Sequence, residues 1–177
     1  MTIRQADPER DAAACAAIYA PYVAEGVATF EEEPPTAPEM AARVARLVPA
    51  HPWLVEELDG EVVGYAYAAP HHPRAGYRWA VTVAVYVHGD HHRQGVGRRL
   101  YAELLTRLRA QGFRMACAGI TLPNPGSVGL HESVGFVPLG VYRDIGWKNG
   151  AWHDVGWWQL ELAPDAPDPP AEPTPPA

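Results

Sequence analysis

The chain has 177 residues, enough for one domain with a substantial core, and a formal net charge of −7. Hydrophobic residues make up 47% and charged residues 20%, in a proportion that excludes a disordered or fibrous chain. The acidic balance argues against nucleic acid as the main partner. No run of eighteen apolar residues is present, so no membrane span is expected.

In chain order, residues 3–6 read as a short strand, and nothing at the N-terminus resembles the apolar core of a signal peptide. Asp7 or Asp11 can cap a following alanine-rich helix that carries Ala14, Ala17, Ile18 and Tyr22 at helical spacing. Thr36-Ala37-Pro38-Glu39 is a capping box with proline in the first turn, opening a helix through Leu47. Residues 53–58 and 62–69 form two strands joined by Asp59-Gly60, a favoured hairpin turn. Residues 79–87 carry almost no charge, as a central strand would. Val96, Leu100, Leu104 and Leu108 make one stripe of a helix over 95–111 that ends at Gly112.

Beyond it, residues 115–122 form a buried strand and 127–134 a short helix ended by Gly135. Residues 136–142 and 155–162 are strands flanking a Lys148-Asn149-Gly150 turn. From Ala163 onward the chain is dense in proline and has nothing large to bury, which predicts an extended, largely disordered tail. The folded domain is therefore 1–162. The element order gives an α/β (α+β) domain with a mixed sheet and a parallel crossover at 79–122. Cys15 and Cys117 sit far apart in apolar segments and read as core residues of a protein from a reducing cytoplasm.

One stretch departs from the acidic trend. Val85-Tyr86-Val87 leads into His92-Arg93-Gln94-Gly95-Val96-Gly97-Arg98-Arg99, a strand running through a glycine-bearing turn into a helix. Glycines there leave backbone N–H groups free to face an anion at the positive end of the helix dipole. With the nearby cationic residues this predicts a phosphate-bearing ligand. His71-His72, His88 and His91-His92 lack Cys or Glu at ligand spacing. They are read as anion contacts or loop histidines, and no metal is expected.

Strand, turn and helix in this form resemble the coenzyme A loop of the GNAT acyltransferases, with His92 where that family has Gln or Arg. Asn124-Pro125-Gly126-Ser127 and Leu130-His131-Glu132-Ser133-Val134-Gly135-Phe136 are similar to the second half of the same site. His51-Pro52-Trp53-Leu54-Val55 and Trp152-His153-Asp154-Val155-Gly156 extend the resemblance to the phosphinothricin and methionine sulfoximine N-acetyltransferase group, over about 1–162.

The resemblance implies a mostly antiparallel sheet flanked by helices, splayed around acetyl-CoA. It implies transfer of the acetyl group to the amine of a small amino acid or analogue by direct attack in a ternary complex. Val85, Tyr86 and Val87 would then meet pantetheine, and His92, Arg93, Gln94, Gly95, Val96, Gly97 and Arg98 the pyrophosphate. Asn124 and Ser133 would lie near the pantetheine and sulfur. His131 would serve as acid or base. The usual glutamate base falls at Thr82, which cannot act as a base, leaving Glu33 and its neighbours Glu31 and Glu32 as candidates through water.

Arg74 and Arg78 could pair with a substrate carboxylate, and Phe30, His72 and Tyr77 could line its pocket. A homodimer is expected, with strand 157–160 able to pack across its interface or to close the domain's own core. Two other readings stay open: another amine as acceptor (a polyamine, an aminoglycoside or a protein N-terminus), and an acyl-CoA-binding module with weak turnover.

Overall fold

The computed structural model describes residues 1–165, 167 and 169–176. Its strands are β1 (Thr2–Gln5), β2 (Trp53–Leu58), β3 (Glu61–Pro70), β4 (Ala80–Val87), β5 (Met115–Leu122), β6 (Val137–Lys148) and β7 (Ala151–Glu161). Its helices are α1 (Pro8–Ala24), α2 (Ala37–Leu47), α3 (Val96–Gln111) and α4 (Pro125–Ser133). They build one mixed sheet in the order β1-β2-β3-β4-β5-β7-β6, in which only β4 and β5 run parallel.

Local chemistry sets most boundaries. Asp7, not Asp11, caps α1, accepting from Glu9 N and Arg10 N, while Asp11 is buried on Arg4. The capping box at Thr36 and Glu39 forms in full. Asp59 and Gly60 both take positive φ, the geometry of a tight hairpin turn whose twist suits its strands.

β6 and β7 are longer than the expected 136–142 and 155–162, and they meet at the Asn149-Gly150 turn. The sequence hides this because Arg143, Asp144 and Gly146 break the apolar alternation. The register shifts there, between Tyr142 and Gly146, and Asp144 takes φ +47°. β7 lies inside the sheet between β5 and β6, so Trp157-Trp158-Gln159-Leu160 belongs to the domain's own layer, and β6 and β1 are the two edges.

Two cores flank the sheet. One joins α3 to the sheet through Leu100, Leu104 and Leu108, all fully buried, with α4 at its margin. Burying each leucine contributes about 1.5–3 kcal/mol. The other joins α1 and α2 to the opposite face through Ile18, Tyr19, Met40, Val44, Trp53 and Tyr65.

No helix or strand is formed by the described residues after Leu162. Trp79 Nε1 donates to Ala171 O at 2.7 Å, and Thr174 N donates to Gln111 O at 2.8 Å. For Ala166, Asp168 and Ala177 the expectation of disorder lies outside the described residues.

Candidate active site

The site begins with a break in pairing. β4 and β5 pair only over Ala80–Thr82 and Met115–Cys117, whereas β4 stays paired to β3 as far as Val87. Beyond Thr82 the parallel strands part. The His88 N–H bonds Val63 O on β3, and strand alternation therefore turns the peptide groups of Val83, Val85 and Val87 away from β3, into the gap. A cavity of about 530 Å³ fills this gap and runs to the start of α3 and along α4.

Of the residues expected to meet a cofactor, Val85, Tyr86, Val87, His92, Arg93, Gly95, Val96, Gly97, Arg98 and Asn124 line it, and so does His131. Gly95 is the N-cap of α3 at φ +80°, a left-handed conformation that suits glycine. It supplies no side-chain cap, so the first N–H groups of α3 keep their donors for an anion. Arg93 and Arg98 have no acidic partner among the described residues, although the chain is acidic. Arg99 holds the turn in place: its guanidinium donates to Gln94 O and to the buried carboxylate of Glu56.

Three details differ from expectation. The Val87 carbonyl accepts the Tyr22 hydroxyl at 2.7 Å, with His92 Nε2 3.1 Å from it, so Val85 is the more open of the two valines. Gln94 turns out of the cavity, its Nε2 donating to Asp90 O, because the positive φ of Arg93 reverses the chain before it. Ser133 is exposed at the last turn of α4, where its hydroxyl donates to Leu130 O and does not reach the cavity.

His131 is buried, with both ring nitrogens committed. Nδ1 lies 2.7 Å from Ser127 O and, since a carbonyl only accepts, carries the proton. Nε2 then accepts from the Tyr101 hydroxyl at 2.8 Å. Burial pulls the imidazole below its ordinary range, opposed in part by Ser127 O, and pushes the Tyr101 phenol far up. Both His131 and Tyr101 line the cavity. In the sequence Tyr22 reads only as a helical-spacing residue of α1, Ser127 only as part of the Asn124-Pro125-Gly126-Ser127 motif, and Tyr101 is not singled out. Tyr101 lies beside the leucine stripe of α3, where an aromatic reads as core.

The remaining candidates are dispersed. Glu33 is exposed on the loop before α2 and does not line the cavity between β4 and β5. Glu31 is held by Arg43 in a two-pronged pair at 2.8 Å and by Tyr19; the Arg43 pair keeps its carboxyl below the usual range. Phe30 packs its ring against Gly146, where an added Cβ would come within 2.1 Å of it. Arg78 is turned away, donating to Ala75 O and pairing with Glu172 of the tail. His72 and Tyr77 pack ring on ring at 4.7 Å on the exposed turn, beside Arg74, whose side chain has no ion-pair partner among the described residues. Thr82 Oγ1 lies 3.0 Å from His71 Nδ1. Among the described residues no group of three or more His, Cys, Asp or Glu could hold a metal ion.

An opened parallel strand pair, with a bare helix N-terminus beside it, defines a protein that takes a long ligand rich in amides at one end and phosphate at the other. The comparisons agree. The GNAT acetyltransferase domain model matches residues 3–157, and the chain belongs to that family. It is 43% identical over 163 residues to the phosphinothricin N-acetyltransferase of Streptomyces viridochromogenes, covering 92% of this chain and 89% of that one. It is 37% identical to the L-methionine sulfoximine/L-methionine sulfone acetyltransferase of Salmonella typhimurium, over 94% and 99% of the two chains. The crystal structure of a phosphinothricin acetyltransferase from Sinorhizobium meliloti in complex with acetyl-CoA superposes with a TM-score of 0.87 at 36% identity, over 91% and 88% of the chains.

Proposed function

We propose that the protein is an N-acetyltransferase that moves the acetyl group of acetyl-CoA to the amino group of a small amino acid or analogue of the phosphinothricin or methionine sulfoximine kind. The observation that carries this reading is the cavity between β4 and β5, with an open strand edge at one end and a bare helix N-terminus with Arg93 and Arg98 at the other. Pantetheine amides would pair with the Val85 peptide group as a further strand would, and the diphosphate would meet the N–H groups following Gly95. Asn124, which caps α4 through Ser127 N, would border the pantetheine. Arg74 remains the candidate for the substrate carboxylate.

Direct attack needs both substrates bound at once. The amine must lose a proton, its nitrogen attacks the acetyl carbonyl, and the thiolate leaves and takes up a proton. The net charge of −7 supports a small-molecule partner over nucleic acid. No helix among the described residues is long and apolar enough to cross a membrane, and both cysteines are free, which supports a cytoplasmic place.

A homodimer is part of the reading. β6 is a free edge exposing Val137, Leu139, Tyr142, Ile145 and Trp147, with Trp152 beside them. An antiparallel edge is self-complementary about a twofold axis. Light scattering behind a sizing column should give twice the monomer mass.

The test of the transferase reading is release of free CoA from acetyl-CoA in the presence of L-methionine sulfoximine, phosphinothricin, spermidine, an aminoglycoside or a peptide N-terminus. The two amino-acid analogues should be turned over best. Acetyl-CoA binding without thiol release would favour a binding module, and preference for a cationic amine would move the substrate class.

A further inference from the structure

The residues lining the cavity include no carboxylate. Its histidines and tyrosines are mostly spoken for: Tyr22 on Val87 O, His92 on the same carbonyl, and His131 at both nitrogens. The attacking amine still has to give up a proton. The root of the splay, where β4 and β5 part, carries a polar pair bordering that lining, Thr82 with His71.

Thr82 is the last residue of β4 that pairs with β5, opposite Cys117. Two residues further along each strand, on the same faces, Ala84 and Gly119 already line the cavity. Thr82 shares its face with Tyr86, whose ring packs among α1 residues, so its hydroxyl points to the side of the sheet opposite α3. His71, just past the end of β3, folds back over it. Its backbone N–H bonds Ala80 O at 3.2 Å, and its Nδ1 lies 3.0 Å from Thr82 Oγ1. Its ring stands at right angles to that of Trp157, 6.0 Å between centroids, and the same indole covers Gly119. Nε2 has no hydrogen-bond partner among the described residues.

We infer that His71 and Thr82 form the proton-accepting pair of the transfer, with the threonine hydroxyl facing the amine and the imidazole behind it. This rests on the transferase reading above. Thr82 O–H donates to His71 Nδ1, which leaves the hydroxyl oxygen's lone pairs for an ammonium proton. As the substrate R–NH₃⁺ gives a proton to Thr82 Oγ1, the hydroxyl proton passes to His71 Nδ1. The products of this step are R–NH₂ and an imidazolium. The amine nitrogen then bonds to the acetyl carbon, the carbon–sulfur bond breaks, and the second nitrogen proton ends on the departing thiolate. The imidazolium returns its proton to water. Thr82 alone could not do this, since a neutral hydroxyl does not retain a second proton at neutral pH.

The titratable groups around His71 are few. Tyr77 comes from the turn between β3 and β4, His72 is next in the chain, and Tyr142 of β6 lies across Trp157. Behind Thr82 is Cys117 of β5, whose thiol burial pushes up. None is a carboxylate that would compete for the role.

The test is kcat and KM against pH, from 5.5 to 9.5, for the full chain with acetyl-CoA and L-methionine sulfoximine. Wild-type turnover comes first, because its absence would defeat the transferase reading itself and this inference with it. Given turnover, His71→Asn keeps a polar group near Thr82 but accepts no proton. It should lower kcat at pH 7 by ten- to a hundred-fold, leave KM for acetyl-CoA within twofold, and recover as pH rises toward the free amine. Thr82→Val should match it, and Thr82→Ser, which keeps the hydroxyl, should stay within threefold of wild type. A purely structural role would lower rates equally at every pH. Wild-type kcat and profile in His71→Asn, or a Thr82→Val enzyme with an unchanged profile, would overturn the inference.

Discussion

The two halves of β4 behave as different strands. Ala80–Thr82 has a neighbour on each side, β3 and β5, whereas the last five residues keep β3 and lose β5. The apolar character hardly changes between them, and the difference lies in what the other side offers. The paired half is a root that holds the sheet together. The opened half leaves the Val85 peptide group without a strand partner on that side, while Tyr22 meets that of Val87, and an amide left unpaired when buried costs about 1–3 kcal/mol. Cofactor-facing geometry here is therefore made by withholding a partner strand, and acceptor-facing geometry by side chains that cross the root.

The strongest way to break the opened half is to fill it. A Cβ on Gly97 would lie 3.0 Å from Leu130 Cδ2 and 3.8 Å from both Val85 and Val87 Cγ2. Gly97→Val should therefore weaken acetyl-CoA binding at least a hundred-fold by calorimetry. Gly129→Ala, on α4 with nothing within 4 Å, should bind normally. Equal affinity in the two variants would move the cofactor elsewhere.

Next comes the clamp beneath the turn. Arg99→Ala would leave the buried Glu56 carboxylate without its cation. Loss of one partner of a buried pair costs several kcal/mol, here discounted to about 2 kcal/mol because Arg99 keeps some solvent contact. Chemical denaturation should show that loss, together with a smaller thermal shift on adding acetyl-CoA. Unchanged stability would mean that the turn holds its shape without the clamp.

The opened half was the legible half. Gly95, Gly97 and the arginines around them are local signals, because a glycine at positive φ and a bare N-terminus are properties of a few consecutive residues. The capping box and both tight hairpin turns were equally local. The acceptor side depends on contacts between residues far apart in the chain, such as Glu31 with Arg43, Phe30 on Gly146 and Arg78 with Glu172. Composition and spacing carry no trace of these. Thr82 was recognisable as a departure from the family, but its partner His71 read only as one of several loop histidines. The length of β6 was hidden for a related reason: its irregular register interrupts the pattern that marks a strand.

A smaller effect separates the buried dyad from the rest of the cleft. Burial holds the His131 imidazole neutral, below the ordinary value of 6.5, so the unfolded chain binds that proton more readily than the folded one. Stability should be fully present above about pH 6.5 and decline as pH falls below it. His51, also pulled down by burial, adds to the same slope. His131→Gln should flatten part of the decline in the urea midpoint between pH 7 and pH 5, leaving the share of His51. An identical slope in the variant and the wild type would show that His131 takes up its proton as readily in the fold as in the unfolded chain.

The smallest effect concerns the root. Trp79, at the entrance to β4, donates its indole N–H to Ala171 O, and Gln111 at the end of α3 exchanges hydrogen bonds with Thr174. The described tail residues thus touch the approach to β4 and the end of α3, and these contacts avoid the residues lining the cleft. These are a few hydrogen bonds at a half-exposed surface, each contributing about 0.5–1.5 kcal/mol before the cost of ordering a proline-rich strap is subtracted. Removing residues 163–177 should therefore lower Tm by only about 2–4 °C, what a net 1 kcal/mol does in a domain of this size. Acetyl-CoA affinity should stay within twofold. Trp79→Phe, which keeps the ring and loses the donor, should reproduce part of the drop in the full chain and none in the shortened one. A fall in Tm as large as that of Arg99→Ala would make the tail part of the core, and a change in cofactor affinity would mean that the two halves of β4 are coupled.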